Sequence, residues 1–356
     1  MSVLTSPAIN VVFTEAGISA ISRGEKGVVA VIVRDAAGIA PVSITQQSQI
    51  PSALGVETQA YVRRTFLGYI NPPKRVILYT IGNEGALSDA LDYLATQDFD
   101  WLAGPADCSQ EDSEAIAGWI AEQREESGAK YKAVLPNYAG DSEAIVNFAA
   151  SGMTDGVTTY TAAAYCSRIA GLLAGTPFSI SATYAPLTEL SDVSRLDKEA
   201  RDDSVGKGEL ILRWDGEKVK VDRAVTSLTT TTEDRGDSFK KIKLVEVMDL
   251  IRTDITKTAE DSYIGKYANT YDNKLLLVTA VRTYFQGLCS SGLIDDDYTV
   301  DIDVAAQESY LQGQGTDTSE MDEKSIREAS TGSHAFLRVS CHLVDAIEDI
   351  NLAIAI

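Results

Sequence analysis

The sequence predicts a mixed architecture: a doubly wound α/β domain, then a C-terminal α+β domain, with short β-strand arms at the N- and C-terminal ends. Three observations predict it. Strand-like and helix-like segments alternate between residues 75 and 150 at the pitch of βαβ units. Residues 241–290 carry two long amphipathic helices in place of that alternation. Residues 7–13 and 350–356 are short apolar runs of period two, Ile9, Val11 and Phe13 in one and Ile350, Leu352, Ile354 and Ile356 in the other.

In chain order, residues 14–27 are small, polar and glycine-punctuated, and read as a linker. The β-branched run VVAVIV at 28–33 predicts a strand buried on both faces. Residues 44–55 read as a loop or turn, and 57–69 place Tyr61, Phe66 and Tyr69 at helical spacing. Strands follow at 75–80, 99–103 and 131–135, with helices at 86–96, 111–126 and 142–150. The helix at 111–126 opens on acidic residues that suit its dipole. A helix is expected over 161–174 and a strand over 180–184. Residues 209–214 and 218–221 flank Asp215-Gly216 and predict a hairpin. A strand starts at 224–228, and TTTTEDRG at 229–236 is the expected domain junction. Helices at 241–259 and 273–290, a strand at 299–304 and a charged helix at 319–329 lead to a terminal strand within 334–356. The expected division is a strand arm and linker over 1–27, an α/β domain over 28–230, an α+β domain over 231–333 and a strand arm over 334–356.

Composition narrows the function. Hydrophobic residues make up 44% of 356, enough for a substantial core. Lys and Arg total 31 against 52 Asp and Glu, a formal charge of −21, so nucleic acid is a poor partner. The four cysteines form no close pair, which fits reduced thiols. No stretch has the length of a membrane span, and the start lacks a signal-peptide pattern, so a soluble chain made in the cytoplasm is expected.

Chemical signatures are weak. The first strand-to-helix turn, IGNEGA at 81–86, lacks the G-x-G-x-x-G spacing that admits a pyrophosphate. Gly206-Lys207-Gly208 is too short for a phosphate loop and precedes a strand. His334 and His342 lie at even spacing on the expected terminal strand, with no third ligand at metal-site spacing. No hydrolytic triad is supported. No catalytic, cofactor-binding or metal-binding residues are expected. Two alternatives stay open on the residues alone: a nucleotide-binding α/β enzyme with its site near residues 82–86 and 104–107, and a non-contractile oligomeric shell. The last strand likewise reads as part of its own sheet or as an arm given to a neighbour.

The C-terminal third carries a resemblance. DRAVTSLT at 222–229, KKIKLVEVMDLIRTD at 240–254, YIGK at 263–266, DNKLLLV at 272–278, GSHAFL at 332–337 and VDAIEDINL at 344–352 resemble contractile phage tail sheath proteins. The likeness is greatest to the short type of Gram-positive phages and phage-tail-like bacteriocins. TAAAYCSRIAG at 161–171 and Pro177 are similar to the family's central segment, and PAINV at 7–11 to its N-terminal arm. The resemblance implies a helical homopolymer around an inner tail tube, with baseplate and tail terminator proteins as further partners. It also implies inter-subunit strand contacts through Ile9, Val11, Phe13, Ile350, Leu352, Ile354 and Ile356. Contraction would drive the tube through a target envelope. No enzyme activity, cofactor, nucleic acid or membrane insertion is implied. The subunit would be made in the bacterial cytoplasm and built into a virion or tail-like particle.

Overall fold

A computed structural model describes Ile21, residues 26–83 and residues 85–354. The N-terminal strand residues Ile9, Val11 and Phe13, and Ile356, lie outside the described residues. The chain divides into two compact units: residues 26–253 with 343–354, and Asp254–His342 with Ile21.

The larger unit is a sheet with helices on both faces. In chain order its elements are β1 (Val28–Arg34), β2 (Val42–Ile44), α1 (Val56–Thr65), β3 (Arg75–Ile81), α2 (Leu87–Leu94), β4 (Trp101–Ala103), α3 (Gln110–Glu126) and β5 (Lys132–Pro136). They continue with β6 (Ile145–Phe148), β7 (Met153–Thr154), β8 (Thr159–Tyr160), α4 (Ala162–Ala174), α5 (Lys198–Gly206), β9 (Glu209–Leu210), β10 (Leu212–Trp214) and β11 (Val219–Val221). The main sheet runs β2-β3-β1-β4-β5-β6-β9, parallel throughout except for β2. The run at 28–33 behaves as its composition dictates. Val29, Val31 and Val33 enter the core under α1 and α4, while Ala30 and Ile32 enter the core under α2 and α3.

Helix α4 is buried on nearly every side; most of it is apolar, its Arg168 is paired with Glu189, and its Ser167 donates to the Tyr61 carbonyl. Its Gly171 is needed for close approach, because a β-carbon there would sit 1.9 Å from the Thr65 carbonyl oxygen of α1. Asp215 opens the turn of the β10–β11 hairpin, its carboxylate accepting from the amides of Glu217 and Lys218, and Gly216 takes a φ of 106°.

A buried ion network joins helix α6 (Ile242–Thr258) to the sheet through the first turns of the helix. Lys132 Nζ on β5 lies 2.6 Å from Asp249 Oδ2 and 3.4 Å from Glu246 Oε1. Arg124 holds Asp249 at 2.9 Å, and Lys26 holds Glu246 at 2.9 Å. Lys132 also lies over the Trp101 ring, 5.3 Å from its centre. Burial opposes the charge on Lys132, but Asp249 and Glu246 outweigh it and raise the pKa. Burial likewise opposes the charge on Glu246, and Lys132 and Lys26 outweigh it, lowering that pKa. These contacts explain why the compact units part between Thr253 and Asp254, inside α6, whereas residues 229–236 form a mostly exposed loop.

The smaller unit contains the end of α6, α7 (Tyr271–Ser290), β12 (Thr299–Ile302), α8 (Val304–Gly313), α9 (Glu323–Glu328) and β13 (Leu337–Ser340). β12 and β13 pair antiparallel as a two-stranded sheet. Arg327 of α9 grips Asp301 of β12 with two hydrogen bonds of 2.7 and 2.8 Å. Lys274 of α7 donates to Gln307 of α8 and to the Ala329 carbonyl.

Several expected elements differ. Residues 142–150 contain strand β6, not a helix. β5 and β6 are parallel neighbours, an arrangement that usually carries a helical crossover. Here residues 137–144 return the chain instead, with Asn137 at φ 50° and Asp141 at φ 44°. Thr229 and Thr230 amides donate to Asp141, holding that turn in place. Residues 180–184 form a turn ending at Tyr184 (φ 60°), and 224–228 supply only an isolated bridge, Val225 to Lys241. Helix α8 was not foreseen, and α9 is shorter than the expected 319–329. Only Leu337–Ser340 of the expected strand region 334–356 pairs as a strand among the described residues.

Candidate assembly surfaces

Three places in the fold were sequence candidates: the strand arm, the crevice above the parallel strands, and the histidines. After His342 the backbone lies along the larger unit as an irregular strap. Lys241 pairs with Asp345, and Lys243 Nζ donates to the Val344 carbonyl at 2.5 Å. Glu348 accepts from Ser181 Oγ at 2.9 Å and Thr183 Oγ1 at 2.5 Å, with Arg223 Nε 3.6 Å away. Arg223 Nη2 reaches both oxygens of Asp349, at 2.7 and 2.6 Å. The bond to Arg223 holds Asp349 below the usual carboxylate range, and the same bond raises Arg223. Burial lowers the pKa of Lys243, against the pull of Asp345 and Glu348.

Beyond Asp349 these anchors stop. Ile350, Leu352 and Ile354 are 81%, 78% and 75% exposed, and no strand pairing involves them among the described residues. Ile347, within the strap, is 87% exposed. Val157 and Val56 are as bare, but singly; here four such side chains fall within eight residues.

In the smaller unit, β12 and β13 present open edges among the described residues. Val300 and Ile302 of β12 are buried, and the side chains of Leu337 and Val339 border an apolar cavity of about 350 Å³. Ile255, Tyr263, Leu277 and Val281 line the rest of it, with Ile21. An open edge is a template for another strand, and an isolated two-stranded sheet is marginal in water.

The crevice at the carboxyl ends of β1 and β4 is where a doubly wound sheet takes a ligand, because the strand order reverses there. Arg34 Nη1 lies 3.0 Å from Asp107, and Arg34 Nη2 lies 2.6 Å from Asp112. Ser109 caps α3, accepting from the Asp112 amide, while its own amide donates to the Asp112 carboxylate. Burial opposes the charge on Asp112, and the Arg34 contact wins and lowers its pKa. The crevice thus presents carboxylates to a would-be phosphate, which does not favour the nucleotide-binding alternative.

His334 and His342 do not share a strand face, since both fall outside β13. The His334 ring packs 4.8 Å from that of Tyr310, and His342 Nδ1 lies 2.9 Å from Asp297. Among the described residues no group of His, Cys, Asp and Glu is arranged to hold a metal ion. No described helix is long and apolar enough to cross a membrane.

Sequence reasoning missed the basic strap partners and the open sheet. A usable signal existed: Lys240-Lys241-Ile242-Lys243 places three lysines in four residues, and the VDAIED segment carries three acids in six.

Comparison with known proteins places these features in a family. Residues 80–227 match the phage tail sheath protein central domain, and residues 234–356 match the phage tail sheath C-terminal domain. The chain is 39% identical over 351 residues to the tail sheath protein of Clostridium phage phiCD119, covering 97% of this chain and 98% of that one. It is 32% identical over 176 residues to the phage-like element PBSX protein XkdK of Bacillus subtilis, covering 48% of this chain and 38% of that one. Among solved structures, a sheath tail protein from Desulfitobacterium hafniense superposes with a TM-score of 0.67 at 17% identity, over 85% of this chain and 93% of that one. The sheath complex of the extracellular contractile injection system PVC, in its contracted state, gives a TM-score of 0.67 at 13% identity, over 100% and 98%. The chain belongs to the phage tail sheath protein family.

Proposed function

We propose that the protein is the structural subunit of a contractile tail sheath, polymerising helically around an inner tube and shortening to drive that tube through a cell envelope. The observation that carries this reading is a complementary pair. One unit offers an unpaired apolar segment of period two, Ile350, Leu352 and Ile354. The other offers a two-stranded sheet with open edges and an apolar cavity beside β13. A strand from a second copy, added at β13, gains ladder hydrogen bonds and puts alternate side chains against that cavity. Residues 7–13, with Ile9, Val11 and Phe13, are assigned the same role at another joint, and Ile356 extends the C-terminal strand. The contact is head-to-tail between copies, the kind that builds an open helical array when its rotation does not close into a ring. An inner tube protein, a baseplate and a terminator are the further partners. The role is structural rather than catalytic, and the particle is a virion tail or a tail-like body.

Negative-stain microscopy of the purified chain with its tube and baseplate tests the reading: long tubes of regular helical pitch are expected, and closed shells or dispersed monomers would reject it. Salt provides an independent check. With a charge of −21 the subunits repel, and screening shortens the reach of that repulsion to about 10 Å at 0.1 M salt. Polymer yield at fixed protein concentration is therefore expected to rise over the low-salt range; a steady fall would mean that ion pairs between copies dominate.

A further inference from the structure

The arm strap is built inside out. Two of its acidic side chains, Asp345 and Glu348, turn onto Lys241, Ser181 and Thr183, while Asp349, itself largely exposed, pairs with Arg223 at the surface. Its Ile347 is bare, as are Ile350, Leu352 and Ile354 beyond. Ordinary folding would bury the isoleucines and leave the acids in water. Glu348 is the best held of the group, its side chain only 7% exposed and met by two hydroxyls and a guanidinium.

We propose that Lys241, Lys243, Arg223, Ser181 and Thr183 form a polar cradle that clamps residues 344–349 onto their own subunit, so that the donated strand swings only from Ile350 onward. The cradle grips the polar face of the strap and leaves its apolar face free, so docking on a second copy does not require its release. The consequence is geometric. Residues 350–356 span at most about 23–25 Å when extended, whereas an arm loose from Leu343 would reach about 46–50 Å. Effective concentration falls roughly as the −3/2 power of tether length, so halving the free segment raises it about threefold at an acceptor that both tethers reach. The acceptor sheet in a neighbouring copy must then begin within that shorter distance of Asp349. The role in assembly rests on the strand-donation reading above; the clamp itself does not.

Limited proteolysis of the full-length, unassembled chain with proteinase K tests this, with cut sites read by mass spectrometry and a free peptide of residues 343–356 as the reference. In the wild-type protein, bonds beyond Ile350 should be cut at nearly the peptide's rate, and bonds within 343–349 at least tenfold more slowly. In Arg223→Glu/Lys241→Glu both stretches should be cut within threefold of the peptide, with melting of the folded units unchanged. If the wild-type strap is itself cut within threefold of the peptide, the clamp does not exist, and that comparison needs no variant to fold. Equal protection in wild type and a folded double variant would also overturn it. A protected wild-type strap in a chain that never polymerises would reject the sheath reading and leave the clamp standing.

Discussion

Replacing Lys132 by methionine is expected to destabilise the larger unit by about 3–5 kcal/mol, because it strips a central cation from two buried carboxylates. Lys132 is 2% exposed, and Asp249 and Glu246 lie within 3.4 Å of its amine. Methionine keeps the contact with Trp101 but offers no charge. Arg124 and Lys26 then face Asp249 and Glu246 alone, and the helix that carries both acids loses its grip on β5. For a unit of this size the loss corresponds to a fall in melting temperature of roughly 6–20 °C. Lys132→Met/Asp249→Leu should recover only part of it, because Asp249→Leu also removes the two-bond partner of Arg124 and Glu246 keeps only Lys26. Calorimetry of the single and double variants is the check; a single-variant loss under about 1 kcal/mol would mean that water reaches the network. The pH dependence follows from the signs. The lowered pKa of Glu246 adds stability above the ordinary carboxylate range and loses it as pH falls through the folded value. The raised pKa of Lys132 adds stability below the ordinary lysine range and loses it as pH rises through the folded value. The network is therefore complete between about pH 5 and about pH 10.

Deleting residues 350–356 is expected to abolish sheath assembly while leaving the melting transition nearly unchanged. Ile350, Leu352 and Ile354 are bare in the single chain, so their removal takes nothing from either core. In a polymer, burying the four alternating side chains contributes on the order of 6–12 kcal/mol, at about 1.5–3 each. Ordering seven residues costs roughly 7–14 kcal/mol. The two nearly cancel, which leaves ladder hydrogen bonds, about 0.5–1.5 kcal/mol each, and the presence of several joints per subunit to decide the outcome. A single arm should therefore bind weakly, and subunits should wait for a template. In cells the truncated chain should leave naked tubes. Should the truncated chain lose its cooperative melt, these residues belong to its own core.

Much of the larger unit was legible because its strands are unambiguous. A β-branched run such as 28–33 can satisfy both faces only between two helical layers, and the alternation of strand and helix from 75 to 135 fixes the sheet. Legibility failed where the backbone does something local sequence rarely announces. The return from β5 to β6 depends on left-handed turns at Asn137 and Asp141, held by amides nearly ninety residues away. The 142–150 segment carries helix-compatible residues, and parallel pairing with β5 overrides that preference. The arm residues were legible as a period-two apolar run, but their anchorage was not. An exposed strap held by its acids reads as a polar loop until the lysines and arginine that face it are placed by the fold. The buried ion network was illegible for the same reason, since Glu246 and Asp249 look like surface acids on an amphipathic helix.

On the proposed assembly, copies of this chain are joined by adding a strand to the β12–β13 sheet. Cryo-electron microscopy of the assembled polymer, at a resolution that traces side chains, tests it most directly. In that polymer β13 is expected to be flanked by a strand from another copy, and residues 350–356 of each subunit to lie in a sheet that is not their own, with Ile350, Leu352 and Ile354 buried. A polymer in which the β12–β13 sheet remains two-stranded, with residues 350–356 still bare or folded onto their own subunit, would contradict it.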